Sequence, residues 1–241
     1  MKNKIKPFRK IKLFFGLTFL ILILLGCYII KSGYNMYTTA ISKKPIEIRI
    51  AELKSKDSYI AIKDIPKSYQ EAVIAVEDRR FYLHNGFDII SISRAIVTDI
   101  TTKSFAAGGS TITQQLAKNL YFTQEKKLTR KVAEIFLALE LEEIYSKDDI
   151  LEFYMNSIYY GDGYYGIGKA SLGYFNKLPS ELTLNEQTLL AGLPNAPSVY
   201  QLSNNSNLTY QRQNIVLETM AECGYIEKED IENIKNNKIA Y

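Results

Sequence analysis

The chain has 241 residues, with 30 Lys and Arg against 26 Asp and Glu, a formal net charge of +4. That length admits one domain of about 200 residues with an extension, or two small domains. An apolar share of 46% and a charged share of 23% exclude a largely disordered chain. Two cysteines cannot build a disulfide scaffold, and the lone His84 excludes a His-rich metal site. The positive excess is local. Lys2, Lys4, Lys6, Arg9, Lys10 and Lys12 fall in the first twelve residues with no acid among them, so the rest carries a slight acidic excess. Charge therefore gives no indication of a nucleic-acid-binding surface.

Residues 1–12 read as a basic cytoplasmic tail and 13–30 as a transmembrane helix. Leu13 to Ile30 is eighteen residues without a charge, about 27 Å as a helix against a hydrocarbon core of about 30 Å. The cations before it hold the N-terminus in the cytoplasm and send Lys31 onward outside. A cleaved signal peptide is the first alternative, but no small-x-small site follows the run. A lipoprotein box at Leu24-Leu25-Gly26-Cys27 is the second, although Tyr28-Ile29-Ile30 continues the apolar stretch. Residues 31–50 read as a polar stalk, and 51–241 as one mostly helical domain.

Within that domain, Tyr59 to Ile65 alternates weakly, as a short strand would before Pro66. Glu71 to Phe81 suits a helix burying Ala72, Ala75 and Val76. Val132, Ile135, Phe136 and Leu139 follow helical spacing and predict an amphipathic helix over Arg130–Tyr145. Ser146 with Asp149 signals the cap of a further helix that buries Ile150, Leu151, Tyr154 and Ile158. Gly161, Gly163 and Gly166 break it. Two more helices are expected over Leu184–Leu193 and Tyr210–Glu222.

Three constellations can carry chemistry. Glu77-Asp78-Arg79-Arg80-Phe81, followed by His84, Gly86 and Asp88, crowds acids and arginines at the end of an apolar helix. There a partly desolvated carboxylate suits a general acid or base; a solvated salt-bridge cluster is the plainer alternative. Gly108-Gly109-Ser110-Thr111-Ile112-Thr113-Gln114-Gln115-Leu116, then Lys118 and Asn119, offers hydroxyls, amides and one cation to phosphate or sugar oxygens. A loop and helix N-cap would look the same, and the spacing of a P-loop is absent. Lys126-Lys127, Arg130-Lys131 and Glu134 put one carboxylate among cations, in the less favourable order for helix pairing, which suits an anionic ligand. Tyr159, Tyr160, Tyr164 and Tyr165 can stack on sugars or simply pack. Cys223 reads as a small buried hydrophobe.

The order and wording of these motifs resemble the peptidoglycan glycosyltransferases, glycosyltransferase family 51. The likeness continues through Ile150-Leu-Glu-x-Tyr-x-Asn, Gly161-x-Gly-x-x-Gly-Ile and Leu190-Ala-Gly-Leu-Pro-x-Ala-Pro, and covers roughly residues 58 to 225. Family members are front halves of bifunctional penicillin-binding proteins or short monofunctional forms. Because this chain stops soon after the last motif, it looks like the monofunctional, membrane-anchored form. The resemblance implies a mainly α, lysozyme-like lobe with a small apolar jaw within Ile89–Phe122, where Ile89, Ile90, Phe105, Leu120, Tyr121 and Phe122 would touch the membrane.

It further implies polymerisation of lipid II into β-1,4-linked glycan, with inversion and release of polyprenyl diphosphate. Glu77 would be the general base, with Lys118, Lys126 and Arg130, and Arg80 nearby, facing the pyrophosphate. Ser110, Gln114 and Gln115 would line the donor cleft. Glu134 matches a second essential glutamate, which either orients these cations or holds a divalent cation such as Mg or Mn. The position of Lys126 is an arginine in some relatives, so bidentate phosphate contact there would be lost. Implied partners are lipid II, the growing strand, membrane lipids, and penicillin-binding transpeptidases or cell-division and elongation proteins. A lytic transglycosylase using Glu77 as an acid is the enzymatic alternative, and it would not need the cation cluster. A non-catalytic wall scaffold is the other.

Overall fold

Helix-forming runs punctuated by Pro, Gly and Ser/Thr caps account for the whole architecture. The computed structural model describes residues 7–102, 108–123, 125, 127–204 and 206–236. In chain order the α-helices are α1 (Pro7–Lys43), α2 (Ile46–Lys54), α3 (Lys67–Glu77), α4 (Ile89–Thr102), α5 (Ile112–Tyr121) and α6 (Leu128–Ile144). They continue with α7 (Lys147–Ser157), α8 (Ile167–Phe175), α9 (Leu184–Gly192), the single turn α10 (Pro197–Tyr200), α11 (Ser206–Glu222) and α12 (Lys228–Asn236). Among the described residues the only β pairing is an isolated bridge between Tyr159 and Tyr165. The expected mainly α class is what the chain adopts.

Within α1, residues 11–43 form a helix long and apolar enough to cross a membrane, and the apolar window is not buried inside the fold. A membrane anchor is what such a helix supplies. Residues 1–6 of the basic tail lie outside the described residues, and Cys27 is exposed on the span. The segment expected as a stalk is different: α1 runs on unbroken to Lys43, and α2 follows after Pro45. Packing explains the difference. Gly33 brings α1 against Val132 of α6, so closely that a Cβ there would stand 2.5 Å from Val132 Cβ. Tyr34 and Tyr37 close on Phe136 at ring separations of 5.2 and 5.9 Å. Tyr37 donates to Glu140 Oε2 at 2.6 Å.

That contact also corrects the amphipathic assignment of α6. Val132, Ile135, Phe136 and Leu139 are only half-buried; the residues turned into the core are Ala133, Glu134, Leu137, Ala138 and Leu141. Val132 and Phe136 lie on the face that receives the anchor. The expected strand over Tyr59–Ile65 is instead an extended segment with a 3-10 turn at Ile62–Asp64. It finds its partners on α7 rather than on another strand. Asn156 exchanges bonds of 2.9 and 2.8 Å with the Ile60 backbone, and Glu152 accepts from Ile62 N at 2.7 Å.

The core is built on α7, whose Ile150, Leu151, Phe153, Tyr154 and Met155 are fully buried, together with Tyr69, Phe81, Leu116 and Leu137. Ser146 and Asp149 make the anticipated capping box. At Gly166 (φ +85°) a Cβ would meet the Asn156 carbonyl oxygen at 2.6 Å, so only glycine fits between α7 and α8. In the jaw region, α4 leaves Ile89, Ile90 and Val97 exposed. Leu120, Tyr121 and Phe122 instead pack against the core, and Phe105 lies outside the described residues. Cys223 is half-buried against the same core.

The close α1–α6 contact is testable. Gly33→Leu should destabilise the protein by about 1–3 kcal/mol, the usual cost of overpacking, seen as a lower melting midpoint in detergent. Gly26→Leu, where an added Cβ meets no atom, should leave the midpoint unchanged.

Candidate active site

Glu77 is the last residue of α3, because Asp78 (φ −159°, ψ 75°) leaves the helix. The Asp78 side chain takes up the end of the next motif: Oδ2 accepts from Ile112 N at 3.0 Å and stands 2.9 Å from His84 Nε2. Thr111 caps α5 through a capping box with Gln114. The two motifs that are well separated in the sequence are thereby joined end to end, and Gln115 comes to Glu77. Gln115 Nε2 donates to Glu77 Oε2 at 2.8 Å, and its own Oε1 accepts from the Tyr154 hydroxyl at 3.2 Å.

The Glu77 side chain is 9% exposed, and its Oε1 is buried without a hydrogen-bond partner. Burial pushes its carboxyl above the ordinary glutamate range; the Gln115 bond and the Arg212 and Lys118 charges oppose this, while Asp78 adds to it. On α6, Glu134 is 1% exposed. Arg130 Nη1 pairs with Glu134 Oε1, and Lys131 Nζ donates to Oε2 at 2.9 Å and to Ser110 Oγ at 2.5 Å. Lys118 lies within electrostatic reach of both Glu134 and Glu77. Burial is the main influence lowering its pKa, Arg130 and Lys131 lower it further, and the two carboxylates raise it. The Lys118 side chain makes no hydrogen bond or ion pair among the described residues.

Two cavities adjoin this cluster. The larger, about 750 Å³, is lined by Gln115, Lys118 and Asn119, by Tyr159 and Tyr165, and by Asn195 and Ser198 of the Leu190–Pro197 motif and its flank. The smaller, about 140 Å³, is lined by Glu77, Asp78, Arg94, Gly108, Ser110 and Thr111. Glu77 in one wall and Gln115 in the other make their hydrogen bond part of the partition between the two. Lys118, Arg130, Lys131 and Arg212 stand against Glu77 and Glu134, which leaves an excess of positive charge in which an anion would be stabilised.

The structure thus brings together Glu77, Glu134, Ser110, Gln115, Lys118 and Arg130. It does not bring in all the expected residues. Arg80 is committed to Asp88, 2.9 Å from Nε to Oδ2, and lines neither cavity. Gln114 is 1% exposed, because the α5 capping box turns it inward away from the cleft. Lys126 lies outside the described residues. Of the tyrosines, Tyr160 is buried, bonded to Tyr69 at 2.6 Å, and Tyr164 packs on Tyr174. Tyr159 and Tyr165 form cavity wall. Two residues were missed as site residues. Lys131 was legible as a cation three residues before Glu134. Arg212 sits on α11 one turn before buried Val216, and a lone cation on an apolar stripe was the available signal.

Both Glu134 oxygens are engaged by Arg130 and Lys131; a Mg or Mn ion at a diphosphate would take most of its oxygen donors from the phosphates and water and need one or two carboxylates from the protein. Among the described residues no group of three or more His, Cys, Asp or Glu is placed to hold a metal.

A family model described as Transglycosylase matches residues 46–221. Penicillin-binding protein 1F of Bacillus subtilis is 46% identical over 171 residues, 71% of this chain and 24% of that protein. Penicillin-binding protein 1A of Vibrio cholerae is 46% identical over 169 residues, covering 70% and 20%. The Escherichia coli penicillin-binding protein 1A is 41% identical over 180 residues, covering 75% and 21%. The chain therefore spans about a quarter or less of the length of these relatives. The crystal structure of penicillin-binding protein 1A from Haemophilus influenzae aligns with TM-score 0.46 and 23% identity, over 76% of this chain and 18% of that one.

The buried Glu77 has a consequence for stability. Its carboxyl is raised in the folded state, so its contribution is favourable below the unfolded pKa and is lost as pH rises through the folded value. Glu77→Gln should accordingly raise the melting midpoint at about pH 7, with the gain vanishing below the ordinary glutamate pKa of about 4.3. Thermal unfolding of both proteins across that range is the measurement.

Proposed function

The chain belongs to the Transglycosylase family, and on that premise we propose that it polymerises lipid II into β-1,4-linked peptidoglycan glycan strands. The observation that carries this is a desolvated carboxylate, Glu77, at the partition between two cavities and beside an excess of cations.

A sugar hydroxyl is a poor nucleophile, and Glu77 supplies the base. As the acceptor oxygen attacks the donor anomeric carbon, its proton passes to the Glu77 carboxylate. The new glycosidic bond forms while the bond from that carbon to the diphosphate oxygen breaks, the electron pair leaving on the diphosphate. Attack opposite the leaving group inverts the configuration. Polyprenyl diphosphate departs as an anion and needs no general acid; it needs positive charge where negative charge develops. Lys118, Arg130 and Lys131 provide it, with Glu134 and Ser110 holding the latter two in place. No step is assigned to a divalent cation. Tyr159 and Tyr165 offer aromatic faces to the sugars of the strand.

A raised Glu77 carboxyl would also suit the acid of a lytic enzyme. The cations favour the synthetic direction, since glycoside cleavage releases no phosphate. The basic tail orients the anchor with the catalytic domain outside the cytoplasm, where exposed Ile89, Ile90 and Val97 of α4 would meet the outer leaflet. Lipid II, the growing strand and membrane lipids are the immediate partners, and a penicillin-binding transpeptidase would cross-link the product.

Detergent-solubilised protein given labelled lipid II should form long glycan. Glu77→Gln should lower the rate by about 10²–10⁴-fold, the span of general acid–base contributions. Equal polymerisation by that variant would disprove the base assignment, and release of fragments from preformed wall would favour the lytic reaction. A reporter fused after Tyr241 should be active only outside the cytoplasm.

A further inference from the structure

Glu77 is held unevenly. Its Oε2 accepts the Gln115 amide, whereas Oε1 is buried and has no hydrogen bond. What faces Oε1 is Arg212, with Nη2 at 3.7 Å, close enough to pair electrostatically and too far to occupy a lone pair. Arg212 is itself fixed. Its side chain is 11% exposed, its Nε donates to the Gly192 carbonyl at 3.3 Å, and its Cγ lies against the bare Cα of Gly192. A Cβ on Gly192 would stand 3.0 Å from that Cγ. The Leu190-Ala-Gly-Leu-Pro motif therefore has a second use besides forming cavity wall: its glycine gives the arginine room to lie flat and reach α3.

We propose that Arg212 is a positioning residue that holds the Glu77 carboxylate charged from its buried side without hydrogen-bonding it, so that the carboxylate can take the acceptor proton. The assignment rests on the glycan-polymerising function proposed above and names the charge partner that function requires. A general base needs a free lone pair and a negative charge together. A direct hydrogen bond would stabilise the charge but take up one of the carboxylate's lone-pair sites, while burial without a cation would favour the neutral form. A guanidinium at 3.7 Å, beyond hydrogen-bond distance, meets both conditions. The other groups facing Glu77 do not replace it. Lys118 from α5 is also a cation, but burial weakens its hold on a proton. Asp78, the next residue, opposes ionisation. Tyr69 and Tyr154 are within electrostatic reach and stay neutral, their hydroxyl pKa values raised by burial. Of the arginines lining the smaller cavity, Arg79 is paired with Glu222 at 2.7 Å, and Arg94 is exposed.

The test is the pH profile of lipid II polymerisation by the full-length protein in detergent, with Arg212→Gln, Arg212→Lys and Gly192→Ala. Arg212→Gln should move the acidic midpoint up by about 1 pH unit, the lower end of what an opposite charge at this distance contributes, and cut kcat at the wild-type midpoint about fivefold with little change in KM. Arg212→Lys should restore most of the midpoint. Gly192→Ala should shift it in the same direction as Arg212→Gln by a smaller amount, which keeps the test open if Arg212→Gln folds poorly. Protonation of Glu77, read from the infrared carboxyl band that disappears in Glu77→Gln, should follow the same order without any turnover. An acidic midpoint and carboxyl band unmoved in both Arg212→Gln and Gly192→Ala would overturn the assignment. If the band moves while wild-type protein makes no glycan, the electrostatic pairing stands and the polymerising function falls.

Discussion

The bond from Ile112 N to Asp78 Oδ2 joins the end of one helix to the start of another, and the site depends on that joint. The N–H groups at the start of α5, which no helix carbonyl takes up, carry partial positive charge, and a carboxylate there satisfies one of them while complementing the helix dipole. Asp78 is positioned for this because it has just left α3. Its other neighbour, His84 Nε2, closes the turn that follows α3. With the joint made, Glu77 and Gln115 fall within hydrogen-bond distance and Lys118 is one turn further along α5. The first motif then has a physical logic. Glutamate is the reactive group, aspartate the joint, Phe81 the core plug, His84 the clasp, and Gly86 (φ +81°) the point where the turn passes against the α6 backbone at Ala138.

A fold arranged this way carries a cost at its centre. A buried, half-bonded carboxylate opposes folding at neutral pH, and natural proteins retain such groups mainly where activity requires them. Here the cost is offset by a dense core around α7, with Tyr154 both packing there and orienting Gln115. Rigid surroundings are what allow a polar group to remain badly satisfied.

Local signals in the sequence were sufficient for the anchor helix and for α6, α7, α9 and α11. Ser146–Asp149 announced α7, and the apolar spacing of Ile150, Leu151, Tyr154 and Ile158 marked its buried face. Where a residue's fate depended on a distant element, local pattern misled. Val132 and Phe136 formed a convincing core stripe, yet they meet an anchor helix that no periodicity within α6 could reveal. Gln114 and Arg80 looked free for substrate because their backbone and side-chain obligations, an N-cap and Asp88, are made only in the folded chain. Arg212 was missed for the converse reason. It acts on Glu77 from α11, across the turn that ends α9, and nothing near it in sequence mentions a carboxylate.

The unbroken α1 sets a vertical scale for the molecule. Gly33 is three residues past the apolar run that ends at Ile30, a rise of about 4.5 Å along a helix. Its contact with Val132 places that level on the same turn of α6 as Arg130 and Lys131. In the membrane placement proposed above, these cations would stand at the depth of the phosphate headgroups rather than high in the aqueous space. A lipid-linked diphosphate could then meet its counter-charges while its prenyl tail stayed in the bilayer. Only the saccharides would have to rise out of the membrane plane, which makes the anchor a spacer as much as a tether.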